Sequence, residues 1–235
     1  MWYWNKTNFE GLLAVAESIS TEPRWSLFAD YCTLREQGLR KQALASLDQL
    51  IGQAKEWSTF ERRRFVNWIY ETHLTRPRVH QLITNPLSQR LLIPVLEEWR
   101  HSDTTDATPR RWMGFATGDY AHFSEALTLN PQDDISRYRL VCGNLEDVDF
   151  QCHHLPEYFI GEPNDAVRLL EEARILSVGF CDPKISPLLL DEFATLNGKV
   201  NDWIAFQKTG VDSFSDWCKE NGRTYKWLKA YYYDK

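Results

Sequence analysis

The chain has 235 residues, of which 43% are hydrophobic and 26% charged, with a formal net charge of −6. That length suits one large domain or two closely packed halves, and it buries a sizeable core without disulfides or metal. The hydrophobic share excludes a disordered tail, and the widely spaced, odd set Cys32, Cys142, Cys152, Cys181 and Cys218, with no CxxC, excludes a disulfide framework or a zinc ribbon.

Helical periodicity begins early. Phe9, Leu12, Leu13 and Ala16 share one face, and Pro23 then breaks the chain. Trp25 to Glu36 reads as a second helix and Leu39 to Lys55 as a third, with Leu39, Ala43, Leu47 and Leu50 on one stripe. Ser58 to Glu71 follows, with Ser58 and Glu61 spaced as a capping box. Thr75 to Thr84 reads as a short helix with Pro77 in its first turn. Pro86 to Arg100 reads as another, bent at Pro94.

The polar stretch His101 to Thr108 is a candidate boundary. It makes 1–235 either one helical domain or two halves, 1–101 and 109–235, joined through 102–108. Beyond it, helices are expected at 109–117, 120–129, 132–143, 163–178, 185–196, 198–208 and 213–221. Asn144 to Pro156 is the least regular stretch and reads as a long loop. Residues 223–233 fit strand by their aromatics and helix by their position. The fold class is all-α, with antiparallel helical hairpins in a repeat-like (α-solenoid-like) array or a right-handed helical bundle.

An internal spacing recurs. Gly38 is followed by Ala43, Leu47 and Leu50, and Gly161 by Ala166, Leu170 and Ala173. Gly114 is followed by Asp119, Phe123 and Ala126, with Pro131 closing the unit. A glycine ends one helix without a Cβ penalty, a small residue admits the next helix closely, and larger residues fill the hairpin. This resembles the tetratricopeptide repeat, and Ser124 to Pro131 is its most similar stretch. Tyr31 and Asp119 depart from that pattern, which wants small residues there, and the units do not follow one another in a 34-residue train. The resemblance covers some 90–100 residues and implies binding of peptides or proteins.

No apolar run approaches the roughly 20 residues of a membrane span, and Met1 to Lys6 lacks a signal-peptide pattern. With reduced thiols, this points to a soluble cytoplasmic protein. No phosphate-binding, dinucleotide-binding, zinc-protease or nucleophile-elbow motif is present. The densest ligand cluster is Asp147 to His154, but adjacent His153 and His154 are poorly placed to chelate one ion. Cys152 beside His153 is likewise a poor thiol–imidazole pair. Arg62, Arg63 and Arg64 near Trp57 and Trp68, and Arg110 and Arg111 near Trp112, are too short as basic clusters for nucleic acid. No cofactor, metal, nucleic acid or membrane is expected as a ligand, and oligomeric state stays open.

Charge is unevenly distributed. Residues 118–172 hold 12 Asp/Glu and 3 Arg, net −9, against +2 for 1–117 and +1 for 173–235. Such a segment steers a basic partner. The expectation is a non-catalytic protein that binds a basic protein through Asp133, Asp134, Glu146, Asp147, Asp149, Glu157, Glu162 and Asp165. An immunity or antitoxin-type inhibitor is one such binder. The alternatives are an adaptor or chaperone with a peptide groove near Trp25, Tyr31 and Arg35, and an enzyme or metal protein around His153 and His154. The ten Trp read mostly as core, with some aromatics rimming a groove.

Overall fold

The computed structural model describes residues 6–76, 79 and 81–227, with side chains from residue 11 onward. It is all-α, and no strand occurs among the described residues. The chain divides into two compact units, Met1–Asp119 and Tyr120–Lys235.

The first unit carries α1 (Lys6–Ser18), α2 (Ser26–Glu36), α3 (Arg40–Ala54), α4 (Thr59–Thr75), the short α5 (Asn85–Leu87), α6 (Ile93–Ser102) and α7 (Thr108–Thr117). The α2–α3 hairpin turns at Gly38, whose φ of 76° only glycine adopts cheaply. Ala43, Leu47 and Leu50 are then fully buried, so the hairpin packs as the spacing predicts. Phe65 of α4 is the hub of an aromatic core. It meets Trp25 at 5.3 Å, Phe28 at 5.5 Å and Trp57 at 5.5 Å, all edge-on, the arrangement ring quadrupoles favour.

The capping box at α4 is half made. The Ser58 hydroxyl accepts from the Glu61 N–H at 3.2 Å, but the Glu61 carboxylate turns to Arg24 and Arg64. Residues 81–83 form turns in place of the expected helix to Thr84, while Pro77 lies outside the described residues. Pro94 is accommodated by a wide π turn over Ser88–Leu92, where the Ile93 N–H reaches back to the Ser88 carbonyl. That turn makes room where the proline ring would strike the preceding carbonyl. Segment 102–108 lies inside this unit as a tight turn, in which the Asp103 carboxylate accepts from the Thr105 and Asp106 N–H groups at 3.1 and 3.2 Å.

The second unit carries α8 (Tyr120–Leu129), α9 (Asp134–Gln151), α10 (Pro163–Val178), α11 (Ile185–Phe206) and α12 (Phe214–Glu220). Three expectations are corrected here. The left-handed glycine before α8 is Gly118, at φ 76°, and Gly114 is buried inside α7. Residues 144–151 are helix, because Val141, Leu145, Val148 and Cys152 form one buried stripe that continues α9 past its polar residues. Helix α11 is continuous over 22 residues and does not break near Gly198.

Helix α10 begins at Pro163 after Gly161, at φ 79°, and lays Ala166, Leu170 and Ala173 on the α9 stripe. A fully buried leucine of this kind contributes about 1.5–3 kcal/mol. The segment 223–227 has no regular structure. It is strapped to α11 by the buried Asp202 carboxylate, which accepts from the Tyr225 hydroxyl and pairs with Arg223 Nε at 2.9 Å. The rest of 223–233 lies outside the described residues.

Candidate functional site

Polar networks sort the expected acidic residues into two groups. Asp133 is 3% exposed and caps α9, with its carboxylate accepting from the Ser136 N–H at 3.2 Å and the Ser136 hydroxyl at 3.0 Å. Asp134 accepts from the backbone N–H groups of Cys181 at 2.9 Å and Asp182 at 2.8 Å. Both carboxylates are therefore engaged within the fold. Asp134 holds the start of α9 to the α10–α11 loop, and buried Arg137 donates to the carbonyls of Leu176 and Pro131. A guanidinium on the last carbonyls of α10 also complements that helix dipole.

The other six, Glu146, Asp147, Asp149, Glu157, Glu162 and Asp165, are exposed. They occupy the end of α9, the connection over 152–162 and the first turn of α10. No Lys or Arg occurs between Leu140 and Val167. From neighbouring elements, Lys199 Nζ reaches Asp149 Oδ1 at 4.0 Å. Glu162 and Asp165 suit the positive end of α10. Asp147 and Asp149 instead sit at the negative end of α9, where each carboxylate costs about 0.3–1 kcal/mol. The fold keeps negative charge there against its own dipole.

Two large rings stand in the same region. Phe150, on the last turn of α9, is 64% exposed, and Tyr158 is 48% exposed. Tyr158 stacks on His154 with centroids 4.6 Å apart and planes 16° apart. The Ile160 N–H donates to the Gln151 carbonyl at 2.9 Å, pinning the connection to the helix end. The same stretch thus exposes six carboxylates and two aromatic rings.

Other candidate chemistry is placed differently. Cys152 is 4% exposed, and burial pushes its thiol up to about 11, the reverse of an activated nucleophile. Among the described residues no group of three His, Cys, Asp or Glu stands close enough to hold a metal ion. Arg62 pairs with Glu98, and Arg63 donates to Ser102 and lies over Trp99. Arg64 pairs with Glu22 and covers Trp25, so this trio ties elements of the first unit together. Trp25 and Tyr31 are buried, and Arg35 donates to Gln81.

Of the Trp residues, Trp25, Trp57, Trp99, Trp112 and Trp203 are buried and Trp68, Trp217 and Trp227 half-buried, while Trp2 and Trp4 lie outside the described residues. The exposed rings are Phe and Tyr. No sequence reading singled out Phe150 or Tyr158. Phe150 falls outside the Val141–Leu145–Val148–Cys152 stripe, and that mismatch is the signal that finds it.

An open groove lies between α8, α9 and α10, with about 480 Å³ of volume. Leu127, Leu140, Leu176 and Ala121 supply apolar lining, and Tyr120, Ser124, Thr128, Asn144 and Glu172 supply polar groups. Tyr120 packs closely against Gly143, and its hydroxyl stands between Arg139, at 3.2 Å, and Glu146, at 3.4 Å. No helix of the described residues is long and apolar enough to cross a membrane. The chain matches no protein-family model, no curated protein and no solved structure.

Proposed function

We propose that the protein binds a basic protein partner through the exposed end of its second unit. One observation carries this reading: the stretch between Leu140 and Val167, which has no Lys or Arg, exposes six carboxylates and the rings of Phe150 and Tyr158. Carboxylates steer a cationic surface and speed its association. Exposed aromatics supply the apolar and cation–π anchors typical of interface hot spots. A partner that brings Lys or Arg to the end of α9 also relieves the repulsion between Asp147, Asp149 and the helix dipole. An inhibitor of the immunity or antitoxin type, which occludes a basic active surface, is the concrete form proposed.

The test is affinity capture from the source lysate with wild type, Asp147→Lys/Asp149→Lys/Glu157→Lys and Phe150→Ala. Wild type is expected to retain a stoichiometric basic protein at low salt. The charge-reversed variant loses it, and Phe150→Ala weakens it at every salt concentration. Equal retention of that protein by wild type and the charge-reversed variant sinks the proposal.

A further inference from the structure

The groove between α8, α9 and α10 shows a regular polar wall. Tyr120, Ser124 and Thr128 follow one another at four-residue spacing along α8. Their donors are already used. The Ser124 hydroxyl donates to the Tyr120 carbonyl at 3.4 Å, and the Thr128 hydroxyl to the Ser124 carbonyl at 2.9 Å. What these exposed side chains still offer the groove is lone pairs. Across the floor, Asn144 adds a carboxamide, which accepts as well as donates, and Glu172 on α10 adds a carboxylate that also accepts from Arg168. No Lys or Arg is among the residues lining the groove. The site is rich in acceptors over an apolar floor, so it fits an occupant rich in donors.

The spacing narrows the choice. Four helical residues rise about 6 Å. In an extended chain, the N–H groups on one edge repeat every second residue, about 6.6 Å apart. An extended segment lying along α8 therefore meets the hydroxyl oxygens of Ser124 and Thr128 with alternate N–H groups. The aliphatic stems of Lys or Arg cover Leu140 and Leu176, as such side chains do on apolar surfaces. At the end of the groove the Tyr120 hydroxyl donates to Glu146 at 3.4 Å and accepts from Arg139 at 3.2 Å.

We infer that this groove takes an extended, Lys- or Arg-bearing segment of the basic partner, held by its backbone N–H groups on Ser124 and Thr128. The inference rests on the reading of a basic protein partner given above, and it adds the conformation and the register of what is bound.

The probes are fluorescein-labelled octapeptides followed by anisotropy at low salt: (Lys-Ala)4, the same peptide N-methylated at every amide, and (Glu-Ala)4. Only (Lys-Ala)4 is expected to bind well. The methylated peptide, which keeps charge and side chains but has no backbone donors, should bind about ten-fold more weakly, the scale of one or two lost hydrogen bonds. Ser124→Ala/Thr128→Val should lower (Lys-Ala)4 affinity by a similar factor while leaving the circular dichroism spectrum unchanged. Asp147→Lys/Asp149→Lys/Glu157→Lys should weaken both Lys peptides equally and preserve their ratio.

Equal binding of the methylated and unmethylated peptides overturns the groove assignment and leaves the basic-partner reading standing. So does full (Lys-Ala)4 affinity in the Ser124/Thr128 variant. Preference for (Glu-Ala)4, or binding of none of the three, overturns the assignment as well, and the lysate capture then judges the broader reading separately.

Discussion

Gly143 and Tyr120 form a pair whose coupling can be measured. A Cβ added at Gly143 would lie 2.3 Å from Cε1 of Tyr120, 2.8 Å from Cζ and 3.0 Å from Cδ1. Ordinary carbon contacts are about 3.5–4.0 Å, so in Gly143→Ala the ring must move by roughly 1 Å or more. Overpacking of this kind costs about 1–3 kcal/mol. Alanine inside a helix returns about 1 kcal/mol relative to glycine. The net expectation is destabilisation by up to about 2 kcal/mol. In a Tyr120→Ala background the obstacle is gone, and the same Gly143→Ala change should stabilise by about 1 kcal/mol. The sign therefore reverses between backgrounds, with a coupling of about 1–3 kcal/mol. Native-state hydrogen exchange of the α9 amides reads the effect locally, so unfolding of the first unit does not enter. If Gly143→Ala stabilises α9 equally in both backgrounds, the Tyr120 ring does not occupy that space, and one wall of the groove is wrong.

Two further outcomes follow from buried groups. Burial pushes the Cys152 thiol up to about 11 from an ordinary value of 9.0. Its folded-state value is raised, so its contribution is full below about pH 9 and is lost as pH rises toward 11. Denaturant midpoints should fall between pH 8.5 and 10, and less steeply in Cys152→Ala; identical slopes would refute this. Tyr225→Phe removes a hydroxyl donor from buried Asp202 and leaves Arg223 in place. A loss of about 1.5 kcal/mol, the lower end for a bond to a charged group, should appear as lower exchange protection in α11. Unchanged protection there would mean that the strap contributes nothing to the helix.

The helices and hairpins were legible because their signals are local. The stripe of Leu39, Ala43, Leu47 and Leu50 predicts a buried face; Ala43, Leu47 and Leu50 are fully buried, while Leu39, which stands just before the first turn of α3, is 42% exposed. The end of α9 was not, because Asn144, Asp147 and Asp149 have poor helix propensity and the Val141-to-Cys152 stripe overrides it only once α10 packs against it. The continuity of α11 was equally hidden. Gly198 reads as a break, but its open side admits Tyr225, whose hydroxyl would lie 2.9 Å from a Cβ there. At the candidate site, composition marked the acidic region but could not separate Asp133 and Asp134, engaged with backbone and Ser136, from the six exposed carboxylates. That division depends on the α10–α11 loop, 47 residues away from Asp134.

The Asp134 carboxylate works as a clasp. One oxygen holds the Cys181 N–H and the other the Asp182 N–H. All of α9 and α10 thus becomes a closed loop fastened at its base, a noncovalent counterpart of a cross-link that shrinks the freedom of the chain between its ends. The clasp ties the end of α10 to the start of α9. Opening of this hairpin should be a single event that disrupts the groove and the acidic end together, and the two surfaces proposed for partner binding should persist or vanish as one.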